Sequence, residues 1–482
     1  MLRRSLLAAP FLLVLLAGCA GPRPAAPAAD DAPLAGAATA ETTAALKSGP
    51  MLGYATHREV AVWVQTTRPA EVQIRYEPVQ GPADTTLAPE LARPAQPGTT
   101  APIAATAEGD HIAEFAIAGL EPGVRYAYDV LLDGVAVELD YPTEFETQAL
   151  WEWRFDPPAF TAVVGSCSYT NDTYIRPGRP YGGDHRIFET IHAQRPDLML
   201  WLGDNVYFRE VDWWTEQGMR YRYSYARSLA ELQPLLATTN HYATWDDHDY
   251  GPNDSDRSYV LKGAALDVFE DYWANITYGL PSVPGVFTQF QWADVEFFLL
   301  DDRYHRTPND EPVWEDRQVL GDAQLEWLLE ALTASRAPFK IVALGGQVLN
   351  PIPIYETYVN VAPEERERLI DGVVARGIEG VVFLSGDRHH TELIRLEPEG
   401  FYPLYDFTSS PLTAGPATPR NEMENPARVE GTLVYGQRNF GTLTFTGPRT
   451  DRTLTMRTYD TDGALLWEYA IRANDLRLPR EE

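Results

Sequence analysis

Six times along this chain an apolar run stops abruptly at side chains that bind metals or protons. TAVVGSCSY (161–169) reaches Cys167. LMLWLGDNVY (198–207) reaches Asp204, Asn205 and Tyr207. YATWDDHDYGPND (242–254) delivers Asp246, Asp247, His248 and Asp249. FFLLDDRYHR (297–306) delivers Asp301, Asp302, Arg303 and His305. IVALGGQVLN (341–350) delivers Gln347 and Asn350, and VVFLSGDRHHTE (381–392) delivers Asp387, Arg388, His389 and His390. Short apolar runs bounded by glycine and polar residues read as buried strands. One aspartate before a turn is commonly a cap, and one histidine is commonly structural. Six such endings in one chain instead predict a sheet whose carboxyl ends open onto a single crevice, where sites of α/β proteins gather.

The rest of the chain fits that expectation. From about Phe160 the buried runs alternate with helical stretches, GDHRIFETIHAQ (183–194), DAQLEWLLEALTAS (322–335) and PEERERLIDGVVARG (363–377). Each repeats its apolar residues at three- and four-residue spacing, so an α/β domain is predicted over 158–472. Residues 49–147 alternate at the strand period in VAVWVQT (60–66), EVQIRYEP (71–78) and HIAEFAIAGLEPGVRYAYDVLLDG (111–134), with a proline-rich loop over 78–102. They predict a small all-β domain resembling a fibronectin-III or immunoglobulin sandwich. Alternation returns over 443–471, with Asp462-Gly463 as a hairpin turn, and 473–482 is left as a tail.

The first residues, MLRRSLLAAPFLLVLLAGC, form a targeting segment with a basic start and an apolar stretch too short to span a bilayer. The small residues before Cys19 resemble a bacterial lipoprotein signal over 1–18, with Cys19 lipidated. Arg3-Arg4 is a loose match to a twin-arginine signal. Residues 19–48, rich in Ala, Pro and Thr, read as a flexible linker. An exported protein anchored to a membrane and facing the periplasm or cell exterior is expected. With Cys19 so used, Cys167 has no disulfide partner. It is either a small buried hydrophobe or a thiolate ligand.

Charge excludes one class. Lys+Arg is 39 against 69 for Asp+Glu, a net charge of −30. Nucleic-acid binding needs clustered cationic charge, so no such surface is expected. An anionic substrate would need local positive charge from arginine, histidine or metal. Carboxylates gathered in one crevice repel one another unless cations are present. Aspartates with histidines, a thiol and a phenol therefore indicate two or more metal ions, two of them sharing a bridging carboxylate. Thiolate and phenolate favour a transition metal such as iron, and an oxygen-rich second position suits Ca2+, Mn2+ or Mg2+, with Zn2+ also open.

GDNVY, WDDHD, LDDRYHR, SGDRHH and SSPLTAG (409–415) together resemble the alkaline phosphatase D (PhoD-type) branch of the metallophosphoesterase superfamily. GPMLGYATHREVAVWVQT is similar to the β-domain that precedes the catalytic domain there. The resemblance implies a layered β-sandwich flanked by helices, and ferric iron paired with calcium. It implies hydrolysis of phosphomonoesters or phosphodiesters by hydroxide held between the metals. Residue by residue, Ser166-Cys167-Ser168 stands where the superfamily usually has Asp-x-His, with Cys167 as ligand. Asp204 matches the bridging aspartate and Tyr207 the tyrosine of an iron site. Asp246 or Asp247 is a ligand and His248 the catalytic histidine. Asp387 and His389 replace Gly-His-x-His as ligands. His390, Asn205, Gln347 and Arg388 stand behind the ligands or against substrate. Arg303 either binds a phosphoryl oxygen or forms a structural ion pair. The substrate expected is a small-molecule, lipid or polymer phosphate ester. A lipid-anchored binding protein with a relict metal site is the alternative; an esterase is disfavoured because no Gly-x-Ser-x-Gly occurs.

Overall fold

The computed structural model describes residues 44–79, 94–172, 178, 180–310 and 317–478. The predicted signal, Cys19, most of the predicted linker and much of the 78–102 loop lie outside these residues. The linker's expected end does not stand: a strand begins at Leu46 and runs to Ala55.

Two sheets face each other across the main core. The first has nine strands, and its centre is formed by Phe160–Gly165, Leu198–Leu202 and Asn240–Thr244, paired in parallel. The second has six, with Val295–Leu299, Lys340–Ala343, Val381–Ser385 and Leu404–Thr408 in parallel. The two-residue period of a strand sorts its side chains. Ala162, Val164, Leu198, Leu200 and Leu202 point between the sheets, onto the same core as Phe297, Ile341 and Phe383. Val163, Met199, Trp201 and Ala243 point the other way, onto Ile187, Phe188, Tyr223 and Phe269.

Helices cover the outer faces where the sequence predicts them. Arg186–Ala193 buries Ile187, Phe188 and Ile191. Asp322–Ala334 buries Leu325, Leu328, Leu329 and Leu332, one helical stripe. Pro363–Ala375 opens on a proline, which suits a first turn whose N–H needs no partner. The result is the predicted α/β sandwich of layers flanked by helices.

The N-terminal β region is built differently from a free-standing sandwich. Leu46–Ala55 pairs in parallel with Asn240–Thr244, and Glu59–Thr66 and Ile112–Ala118 extend the same nine-stranded sheet. A small second layer around Ala70–Pro78 and Arg125–Leu132 packs Val72, Ile74, Tyr126 and Tyr128 onto Leu52, Val62, Val64 and Phe115. One layer of this sandwich is thus the edge of the main sheet. Alternation in the sequence gives the strands but not the partner across the edge. At the other edge, Asn439–Thr446, Thr453–Asp460 and Leu465–Arg472 form the expected hairpins, turning at Gly463 (φ 83°). The expected tail begins with Ala473 and Leu476, both buried in the main core.

Phe297 is fully buried and stacks on Phe290 with ring centroids 4.8 Å apart. Phe297→Ala should destabilise the protein by about 3–5 kcal/mol, read as a lowered denaturation midpoint at an unchanged slope.

Candidate metal centre

The strands of both sheets end at the crevice, and the chain turns there through left-handed backbone. Cys167 (φ 61°), Asp204 (φ 53°), Asp387 (φ 60°) and His389 (φ 55°) all adopt it. Each costs about 1–2 kcal/mol for an L-residue, and such strain concentrates at functional sites. Two glycines let the turns approach. A Cβ on Gly203 would sit 2.6 Å from that of Asp246, and one on Gly386 would sit 2.6 Å from the Leu202 carbonyl oxygen.

Among the described residues the turns bring together donor atoms in three overlapping groups, the members of each lying within 4.8 Å of one another: Cys167, Asp204 and His389; Asp204, Asp247 and His248; and Asp247, Asp254 and Glu356. Asp204 is common to the first two, the position of a bridging carboxylate. Cys167 Sγ lies 3.6 Å from Asp204 Oδ2 and accepts a hydrogen bond from Ser410 Oγ at 3.2 Å. Tyr207 Oη is 3.1 Å from His389 Nε2. His389 Nδ1 lies 2.7 Å from the Gly415 carbonyl, so it carries the proton and leaves the Nε2 lone pair for a cation. The His248 ring lies over Tyr207, centroids 4.2 Å apart, and its backbone N–H donates to Asp204 Oδ1. Asp387 lies outside the three groups but lines the same cavity of about 800 Å³, with Asp204, Asp247, His248, Arg388 and His389.

Burial sets the charge states. It holds the Asp204 carboxyl well above its ordinary range, and Asp247 and Cys167 beside it add to the effect. It pushes the Cys167 thiol up to about 11 and Asp387 to about 6. Burial also raises Asp247, but His248 and Arg303 outweigh it and hold that carboxyl below its ordinary value. It lowers His248 and His389, which favours neutral imidazole. Thiol, phenol, imidazole and carboxylates crowded this way ionise together only around cations, and His248 Nδ1 is buried with no partner. The residues present therefore fit a polynuclear metal centre.

Other predicted residues turn elsewhere. Asp246 Oδ1 accepts from Arg303 Nε at 2.7 Å, and Asp246 stands outside the three groups; of the Asp246–Asp247 pair, Asp247 faces the cavity. Arg303 is not among the residues that line the cavity. It is fully buried, and its guanidinium is shared between Asp246, Glu356 and the Ser255 carbonyl. Its structural ion-pair alternative is the one realised. Asn205 donates to the Thr244 carbonyl and to Asp249, and Gln347 to Glu392 and Thr408. His390 Nδ1 meets the Arg388 carbonyl, and its Nε2 is 3.4 Å from Glu392. Arg388 and His390 both line the cavity.

Sequence reasoning gave no role to Asp249, Asp254, Glu356, Ser410 or Tyr181. Asp249 is the most consequential. Its carboxylate accepts the backbone N–H groups of Asp204 (3.2 Å), Asn205 (3.0 Å) and Asp246 (2.7 Å), and Asn205 Nδ2 (2.7 Å). It ties the turn that carries Asp204 to the turn that carries Asp247. Burial still holds it up to about 8. Its signal was the third acid of WDDHD.

Comparison with known proteins agrees with this geometry. A family profile described as PhoD-like phosphatase matches residues 162–447, and one described as Domain of unknown function (DUF7800) matches 43–150. Alkaline phosphatase D of Bacillus subtilis (strain 168) is 23% identical over 345 residues, 59% of this chain and 57% of that protein. The chain thus spans a little over half the length of that curated relative. A solved structure of PhoD is similar over 87% of this chain and 91% of its own, with TM-score 0.67 and 18% identity. Purple acid phosphatase PPD1 from yellow lupin (Lupinus luteus) seeds is similar over 91% of this chain and 77% of its own, with TM-score 0.59 and 13% identity.

Replacing Asp249 by asparagine puts an NH2 group against backbone N–H donors. Asp249→Asn should weaken metal retention about 10–100-fold while the far-ultraviolet circular dichroism stays native. Metal content after dialysis measures it; full metal retention would contradict the clamp.

Proposed function

We propose that this chain, which belongs to the PhoD-like phosphatase family, is a metal-dependent hydrolase of phosphomonoesters or phosphodiesters. The observation that carries this reading is Asp204, common to two donor groups on a cavity large enough for an organic ester. Cys167, Asp204, Tyr207 and His389 would hold one cation; their thiol and phenol suit iron(III). Asp204 and Asp247, with Asp387, Asp254 and Glu356 close by, offer mainly oxygen and suit Ca2+. Bound there, such cations supply Lewis acidity, neutralising phosphoryl oxygens and easing deprotonation of water near neutral pH.

The chain's own residues do the rest. Asp204, fixed by the His248 backbone N–H, sets the spacing of the two positions. His248 presents an Nδ1 with no partner among the described residues and is placed to stabilise the transition state or, once charged, to protonate the leaving oxygen, with Asp247 favouring the charged imidazole against burial and Tyr207 against the ring.

Export and membrane anchoring through Cys19 belong to the same reading, and rest on MLRRSLLAAPFLLVLLAGC. Among the described residues no helix is long and apolar enough to cross a membrane. The substrate would then be an extracytoplasmic phosphate ester, small or polymeric.

Metal-replete protein should hydrolyse p-nitrophenyl phosphate, bis(p-nitrophenyl) phosphate or both, and lose that activity to chelator. No turnover by metal-replete protein would favour a binding protein instead. His248→Ala should lower kcat by about 10²–10⁴ with metal content kept. Asp204→Asn should lose both metal and activity; a fully active Asp204→Asn enzyme would refute its bridging role.

A further inference from the structure

Arg303 is spent on Asp246 and Glu356, so a cation for the substrate must come from elsewhere. Arg388 qualifies. It lines the cavity between Asp387 and His389 and is only 7% exposed. One end of its guanidinium is paired with Glu422, while Nε and Nη1 are buried with no partner among the described residues. Leaving such donors unmet costs free energy unless something arrives to accept from them. Glu422 is itself fixed by Asn350 Nδ2 at 2.8 Å, so Arg388 is held in place before any ligand binds.

Tyr355 lies against the same guanidinium, its ring centroid 5.0 Å from Arg388 Cζ. The ring also lines the cavity, yet it is 70% exposed. Its backbone is left-handed, φ 48°, which is an outlier for a bulky aromatic. Neighbouring residues impose that conformation: Glu356 is anchored by Arg303 and Arg306, and Asn360 Nδ2 donates to the Tyr355 carbonyl at 2.6 Å. Strained backbone that holds an aromatic ring out in the open contributes nothing to the core. One face rests on Arg388, and most of the side chain is open to solvent.

We propose that Arg388 and Tyr355 form the substrate's ester subsite: Arg388 binds a phosphoryl oxygen through Nε and Nη1, and Tyr355 stacks on a flat ring carried by the ester group. The enzyme then prefers phosphoric esters of planar, unsaturated groups over those of small alkyl groups. This deepens the phosphoesterase reading and rests on it. Both residues act only on binding; neither moves a proton or a bond.

Competitive inhibition of the metal-loaded enzyme by phenylphosphonate and methylphosphonate separates the two contributions. Phenylphosphonate should bind at least about fivefold more tightly, as expected for one stacked ring. Tyr355→Ala should collapse that ratio towards one, and Tyr355→Phe should keep it. Arg388→Met should raise both inhibition constants about tenfold or more, as expected for loss of a charge-assisted hydrogen bond. Arg388→Lys supplies a second variant should Arg388→Met fold poorly, and should raise both constants by a smaller factor. Equal affinity of wild-type protein for the two phosphonates, or an unchanged ratio in Tyr355→Ala, would overturn the subsite alone. Failure of both phosphonates to inhibit an active enzyme would overturn the subsite and leave hydrolysis itself established. A metal-replete protein with no turnover, tested by displacement of bound orthophosphate, would overturn the phosphoesterase reading instead.

Discussion

A carboxylate removed from water must be met by N–H donors or by positive charge. This molecule buries a cluster of them at the ends of its strands, and it meets them in three ways. Asp249 is met by N–H groups, three of them from the backbone. Glu356 is met by Arg303 and Arg306, which outweigh burial and hold it below its ordinary pKa range; Arg303 also pairs with Asp246, where burial still prevails and holds the carboxyl above its ordinary range. Asp204, Asp387 and the Cys167 thiol are left without comparable compensation, and burial holds all three above their ordinary values. Asp204 and Asp387, which line the cavity, are therefore acids that added cations would settle.

The compensated acids give the uncompensated ones their positions. Asp249 and Asp246 lock the turns after Leu198–Leu202 and Asn240–Thr244 against each other. Behind the turn after Val381–Ser385, Gln347, Asn350, Glu392 and Glu422 form a second buried network that reaches Arg388 and approaches His390. A donor set held this way needs little rearrangement to bind a ligand, because most of its side chains sit on short turns directly after buried strands.

Much of this was readable in the residues. Six apolar runs ending in polar clusters predicted a crevice at one end of a sheet, and the turns do deliver Cys167, Asp204, Asp247, Asp387 and His389 to one cavity or its wall. Helices at 186–193, 322–334 and 363–375 followed from three- and four-residue spacing. Partnerships were not readable. Nothing local in LDDRYHR says that Arg303 folds back on Asp246 rather than forward onto substrate, because that depends on Glu356 arriving from a distant loop. Asp249 looked like one more acid in WDDHD, since its partners are backbone N–H groups and backbone is invisible to composition. The edge between the N-terminal strands and the main sheet was hidden for the same reason.

That edge has a consequence for how the chain is made. Leu52 pairs with Asn240, and Phe160 with Phe445. The strand that leads to Cys167 thus waits on one side for a partner that lies far later in the sequence. The strand that carries Asp247 is flanked by a segment made long before it. Contacts so distant in sequence form slowly and expose unpaired edges until they close. A ribosome-bound chain released from the tunnel only as far as residue 400 would have every residue of the donor set and no finished sheet to hold it. The site is a property of the closed sheet rather than of the motifs.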